Sequence, residues 1–168
     1  LIQHWGEAKT EEWARGVVAN FAHAPKGGDT DQIKAVAAGE CDVAVSNTYY
    51  LVRVLRSTKS EDRAMMEKVG VVWPNQSSFG THINISGGGM LKTAPNKDAA
   101  VKFLEYLASE SAQKYFSAGN DEYPAAPGVG LADSVAQLGL FRQDDLNLAE
   151  LGRNQAKAQL IYDMIGYE

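Results

Sequence analysis

Apolar residues in this chain come in short runs closed by glycine or proline, and the runs alternate between two periods. Val69-Gly70-Val71-Val72-Trp73, ended by Pro74-Asn75, and Asp42-Val43-Ala44-Val45-Ser46 are compact enough to be strands buried between helices. Thr81-His82-Ile83-Asn84-Ile85-Ser86 alternates polar and apolar, the pattern of a third strand with one wet face. Between them lie stripes at helical spacing. Trp13, Val17 and Phe21 mark a helix from Glu7 to Phe21 that Pro25-Lys26-Gly27-Gly28 breaks. Short strands alternating with helices predict an α/β fold, and no internal repeat is visible.

The helix boundaries follow from capping chemistry. Asp29 or Thr30 is expected to cap a short helix through Ile33, Val36 and Ala37, with Gly39 placed to end it. Tyr49 to Leu55 and Ser60 to Val69 read as two further helices. Gly87-Gly88-Gly89 interrupts the third strand, and Pro95-Asn96 opens a helix whose apolar face is Val101, Phe103, Leu104 and Leu107. Ser109 restarts a helix through Ala112, Tyr115 and Phe116 that Gly119 stops, and 124–130 reads as an extended linker. From Asn147 a last helix faces Leu148, Leu151, Ala158, Ile161 and Ile165 one way.

Charge and composition remove several function classes. Sixteen basic against 21 acidic side chains leave a net charge of −5, with no basic block of the kind that binds nucleic acid or anionic membrane. Apolar residues at 45% and charged residues at 22% are globular values and exclude disorder or coiled coil. The single Cys41 allows no internal disulfide. No apolar run approaches the roughly 20 residues of a membrane helix. The opening Leu1-Ile2-Gln3-His4-Trp5 carries neither Met nor a leader and reads as the middle of a longer chain.

His4, His23 and His82 follow no metal-ligand spacing, and no HExxH, CxxC or GxSxG stands in the sequence. Asp29-Thr30-Asp31 opens like a calcium loop but lacks its later glycine and glutamate, so helix capping is the expected role. The three glycines at 87–89 lack the lysine and serine of a phosphate loop and read as a bulge or a close backbone approach. With no nucleophile–base pair, the chain is not expected to be an enzyme.

The unusual feature is Ser46-Asn47-Thr48-Tyr49-Tyr50, directly after the Asp42–Ser46 run. In open α/β sheets ligands sit beyond the carboxyl ends of strands, at the starts of the following helices. Two consecutive helical residues point about 100° apart, so both phenols fit the mouth of one cleft. Ionising a phenol at pH 7 costs about 4 kcal/mol, which a hard, highly charged cation such as ferric iron readily meets. A tyrosine pair that packs under neighbouring helices with its hydroxyls in water also fits, and on chemistry alone that reading comes first.

A longer set of residues shifts the balance. The run from Gly28 to Glu40, Asp42-Val43-Ala44, Asn47-Thr48-Tyr49-Tyr50 and Asn84-Ile85-Ser86-Gly87 resemble the ferric-iron-binding periplasmic proteins of ABC importers. The likeness continues through Ala94-Pro95-Asn96, Ala99 to Leu104, Ser111-Ala112-Gln113, Asn120 to Pro124 and Leu151-Gly152-Arg153-Asn154. It covers essentially the whole chain, and Asn-x-Tyr-Tyr is its most specific part.

The resemblance implies part of a two-lobed periplasmic-binding-protein-like (type II) fold that closes on Fe³⁺ and delivers it to an ABC importer's membrane permease. Tyr49 and Tyr50 inherit the role of iron ligands, and Asn47 that of helping to hold an anion such as carbonate, phosphate or citrate. The family's proteins are about twice this length, so the resemblance implies a second half. Residues 1–79 would then be a second-lobe segment, 80–130 a first-lobe segment, and 131–168 a return to the second lobe. The remaining ligands would come from the missing N-terminal half or a complementary chain, with which association is expected. The location implied is the periplasm, or a lipid anchor on the extracellular side of a bacterial membrane. Related importers use the same fold for small organic or phosphorus-containing anions without metal, and that is the alternative function.

Overall fold

The computed structural model describes residues 1–167. Its regular elements are helices: α1 (Ile2–Trp5), α2 (Glu7–Ala19), α3 (Asp29–Ala38), α4 (Thr48–Leu55), α5 (Ser60–Met66), α6 (Lys97–Leu107), α7 (Glu110–Asn120), α8 (Asp133–Ala136) and α9 (Ala149–Ile165). They fall into two compact units. One takes Leu1–Gly27, Trp73–His82 and the chain from Arg142 onward; the other takes Gly28–Val72 and Ile83–Phe141.

The second unit is organised around α4, which packs on α3, α5 and α8. Leu51, Val52 and Val54 are its buried positions. They join Ile33 and Ala35 of α3, Ala112 of α7, and Val135 and Leu138 in and after α8, with Val52 and Val135 wholly shielded from solvent. The start of α3 is fixed by Gly28, whose N–H donates to the Asp31 carboxylate at 2.9 Å. Its end is fixed by Gly39 at φ 76°, with the Glu40 N–H reaching back to the Ala35 carbonyl at 2.9 Å, a left-handed stop that glycine adopts without a Cβ penalty. The expected cap at Asp29 or Thr30 is therefore corrected to Gly28. Asp29 is free for another task because Asp31 already serves the turn.

An ion pair between the half-exposed Arg56 and the buried Asp121 ties α4 to α7. Arg56, just past the end of α4, donates to Asp121 at 2.5 Å and to the Ala118 carbonyl at 3.1 Å. Asp121 is 3% exposed and sits at φ 64°, closing α7 in the left-handed region that aspartate tolerates. Ser109 caps α7 as expected, its hydroxyl accepting the Ala112 N–H at 3.3 Å.

In the first unit α2 packs on α9, with α1 against both. His4 stacks on Phe79 at 3.9 Å and hydrogen-bonds to the buried Asp144 at 2.7 Å. Thr81 forms a parallel bridge to Gln143. Gln76 holds that bridge from the side: its Nε2 donates to the Arg142 carbonyl at 2.9 Å and its Oε1 accepts the Arg142 N–H at 2.7 Å. Gly80 stands beside it at φ 95°, where a Cβ would come within 2.6 Å of the Gln143 carbonyl oxygen.

The helices expected from the sequence are present, but the strands are not formed as expected. Residues 42–46 and 69–73 carry no ladder, and of 81–86 only Thr81 is paired, in that isolated bridge. A strand is defined by its neighbour, and among the described residues these runs have none beyond the Thr81–Gln143 bridge. Their valines accordingly lie open: Val43 is 81%, Val45 92% and Val72 86% exposed. The apolar face read on α6 is also only partly covered, with Val101 and Phe103 exposed. No helix among the described residues is long and apolar enough to cross a membrane.

Candidate functional site

Tyr49 and Tyr50 occupy the first turn of α4, where Asn47 is the residue before the helix. The amphipathic pattern of α4 turns Leu51, Val52 and Val54 into the core, which leaves both tyrosines half-buried at its rim. Their rings are tilted against one another with centroids 4.4 Å apart. Arg53, one turn on, sets its guanidinium carbon 5.1 Å from the Tyr49 ring centre and 5.5 Å from that of Tyr50.

The two phenols influence each other's chemistry. The hydrogen bond with Tyr50 pushes the Tyr49 phenol above its ordinary value, and burial and the charges of Tyr50 and Asp29 add to the rise, against the lowering effect of Arg53. Without a cation Tyr49 thus holds its proton more firmly than a free phenol. A trivalent cation placed between the two oxygens reverses this balance, because it favours both phenolates at once. Among the described residues no three His, Cys, Asp or Glu side chains cluster as a metal site.

Asn47 is held on every side. Asp29 Oδ2 accepts its backbone N–H at 2.6 Å and its Nδ2 at 3.0 Å. Its Oδ1 accepts Asn84 Nδ2 at 2.9 Å. Ser46 Oγ lies 3.3 Å from the same Asp29 oxygen. The structure therefore brings Asn47, Tyr49 and Tyr50 together as the sequence predicts, and adds Asp29, Arg53 and Asn84 around them. Asp29 was legible only as a helix cap, since nothing local in Gly28-Asp29-Thr30-Asp31 points to a residue 18 positions away. Arg53 carries a signal in hindsight: it follows Tyr49 by four residues and Tyr50 by three, spacings that share a helix face.

Comparison with known proteins places this geometry in context. Residues 5–143 match the family model described as bacterial extracellular solute-binding protein. The chain is 48% identical to iron uptake protein A2 of Synechocystis over 165 residues, which covers 97% of this chain and 48% of that protein. It is 32% identical to the major ferric iron-binding protein of Neisseria meningitidis over 129 residues, 77% of this chain and 37% of that protein. Among solved structures, the Trichodesmium protein IdiA (FutA) in complex with iron and citrate superposes with a TM-score of 0.93 at 50% identity, over 99% of this chain and 53% of that one. The ferric binding protein from Campylobacter jejuni gives 0.93 at 40% identity, again over 99% and 53%. The chain spans about half the length of the curated relatives it matches. The fold expected from the sequence, part of a periplasmic-binding-protein-like fold, is the one these structures share with it.

Proposed function

The chain belongs to the bacterial extracellular solute-binding proteins, and from that premise we propose that it captures ferric iron for import, with Tyr49 and Tyr50 as phenolate ligands. The observation that carries this reading is two phenol rings 4.4 Å apart in the first turn of one helix, with the Arg53 guanidinium 5.1 Å and 5.5 Å from their centres. Relatives named for iron uptake and ferric binding, and a neighbour whose structure holds iron and citrate, support the choice of cargo.

Each phenolate cancels one charge of Fe³⁺, so the pair leaves one positive charge for other groups. An anion such as carbonate, phosphate or citrate and ligands from the half of the relatives' length that this chain does not match complete the shell. The chain works as the substrate-binding component of an ABC importer, in the periplasm or lipid-anchored on the extracellular side of a bacterial membrane, and hands iron to the permease without catalysis. With Tyr49 and Tyr50 on this chain and the remaining ligands on the half it does not match, lobe opening separates the ligands and releases the ion. A small organic or phosphorus-containing anion without metal is disfavoured next to Asn47, because Asp29 already sets a carboxylate against its donors.

The test is a titration with ferric citrate. A chimera joining this chain to the unmatched half of the Synechocystis relative develops a visible phenolate-to-iron absorption band. The band weakens in Tyr49→Phe and in Tyr50→Phe and vanishes in the double variant. Absence of a band in the parent, or retention of binding of a phosphonate in place of iron, contradicts the reading.

A further inference from the structure

We propose that Asp29 is the positioning residue of the tyrosine pair: a built-in carboxylate that fills the anion-binding donors of Asn47 and fixes the start of α4. The inference rests on the ferric-iron reading for its functional meaning, but its geometry stands separately. One oxygen, Asp29 Oδ2, faces the Asn47 backbone N–H at 2.6 Å, Asn47 Nδ2 at 3.0 Å and Ser46 Oγ at 3.3 Å. A backbone N–H and a side-chain amide converging on one oxygen are the grip a free anion would receive, and charge-assisted bonds of this kind are about twice as strong as neutral ones.

The grip is rigid at both ends. Asp29 is the first residue of α3, whose start is locked by the Gly28–Asp31 bond. Asn47 is the residue from which α4 springs, and its carbonyl accepts the Tyr50 N–H at 3.3 Å. Asn84 holds the other end of the Asn47 side chain. The carboxylate thus links two helix starts and sets the direction in which Tyr49 and Tyr50 leave the backbone. While it holds these donors, an anion that completes an iron shell meets the metal away from Asn47.

The experiment compares the same chimera with its Asp29→Ala and Asp29→Asn variants, using ferric iron titration and amide hydrogen exchange at Asn47. In Asp29→Ala the Asn47 amide exchanges roughly tenfold faster, the change that loss of a helix-start hydrogen-bond set implies. The phenolate-to-iron band weakens in parallel. Sodium acetate, which supplies a free carboxylate to the vacated donors, restores both, whereas sodium chloride at equal ionic strength restores neither. Asp29→Asn keeps an acceptor oxygen without the charge and gives an intermediate loss that acetate does not repair.

Parent-like exchange and band in Asp29→Ala overturn the proposal, and so does a lost band that acetate leaves unrestored in a variant melting with the parent. Should Asp29→Ala not fold, Asp29→Asn decides alone, and parent-like behaviour in it overturns the proposal. Should the parent show no iron band, the iron reading fails, and Asn47 exchange still decides whether Asp29 positions α4.

Discussion

A phenol at pH 7 keeps its proton by about 4 kcal/mol, and in this chain the hydrogen bond with Tyr50 makes that of Tyr49 harder to remove. A folded-state value raised above the unfolded one stabilises the fold at pH values below the ordinary phenol range, near pH 10, and the stabilisation is lost as pH climbs through the higher folded value. Ultraviolet difference titration of the metal-free chain is therefore expected to show two late phenols: Tyr49, held by Tyr50, and Tyr123, held by burial. Tyr49→Phe removes one of these late steps, and an unchanged curve contradicts the assignment. On the proposed iron reading, ferric iron displaces both phenol protons when it binds Tyr49 and Tyr50. With two protons released per ion, apparent iron affinity is expected to fall roughly a hundredfold for each pH unit of acidification, measured by competition with citrate at fixed pH steps.

The helices and the strand-like runs differ in how much of their structure is local. Helices α2 to α7 were readable because their signals are largely local: Ser109 before α7 and Gly39 after α3 act where the sequence puts them, whereas α3 starts from Gly28 and α7 runs one residue past Gly119. The runs at 42–46 and 69–73 carry the right composition for strands, yet pairing depends on a partner that composition does not name. Gly80 illustrates the same limit. Its φ of 95° and its approach to Gln143 come from a contact 63 positions away in sequence. Gly80→Ala is expected to destabilise the chain by about 3 kcal/mol, through left-handed strain and a 2.6 Å clash with backbone, read as a lower denaturant midpoint. Arg56→Met strands the Asp121 carboxylate, 3% exposed, and is expected to cost about 2 kcal/mol by the same measurement. At the site, Tyr49-Tyr50 and Asn47 were legible as a motif. The role of Asp29 was not, because α3 and α4 must pack before its carboxylate meets Asn47.

Across the whole molecule, a chain of 168 residues carries the Tyr49–Tyr50 pair and the frame that positions it, and it spans about half the length of its curated relatives. Two phenolates leave Fe³⁺ with net positive charge, so tight capture calls for further donors beyond the pair. The chimera is accordingly expected to hold iron more tightly than the 168-residue chain alone, as measured by citrate competition, and equal affinities would contradict a shell divided between the two halves. The tyrosines themselves are examined most directly by resonance Raman spectroscopy of the iron-loaded chimera, excited within its visible band. Ring vibrations of iron-bound tyrosinate are expected, halved in intensity in Tyr49→Phe and in Tyr50→Phe and absent when both are replaced. An iron-loaded protein whose spectrum lacks those vibrations, or keeps them in the double variant, would contradict the assignment of Tyr49 and Tyr50 as the ligands.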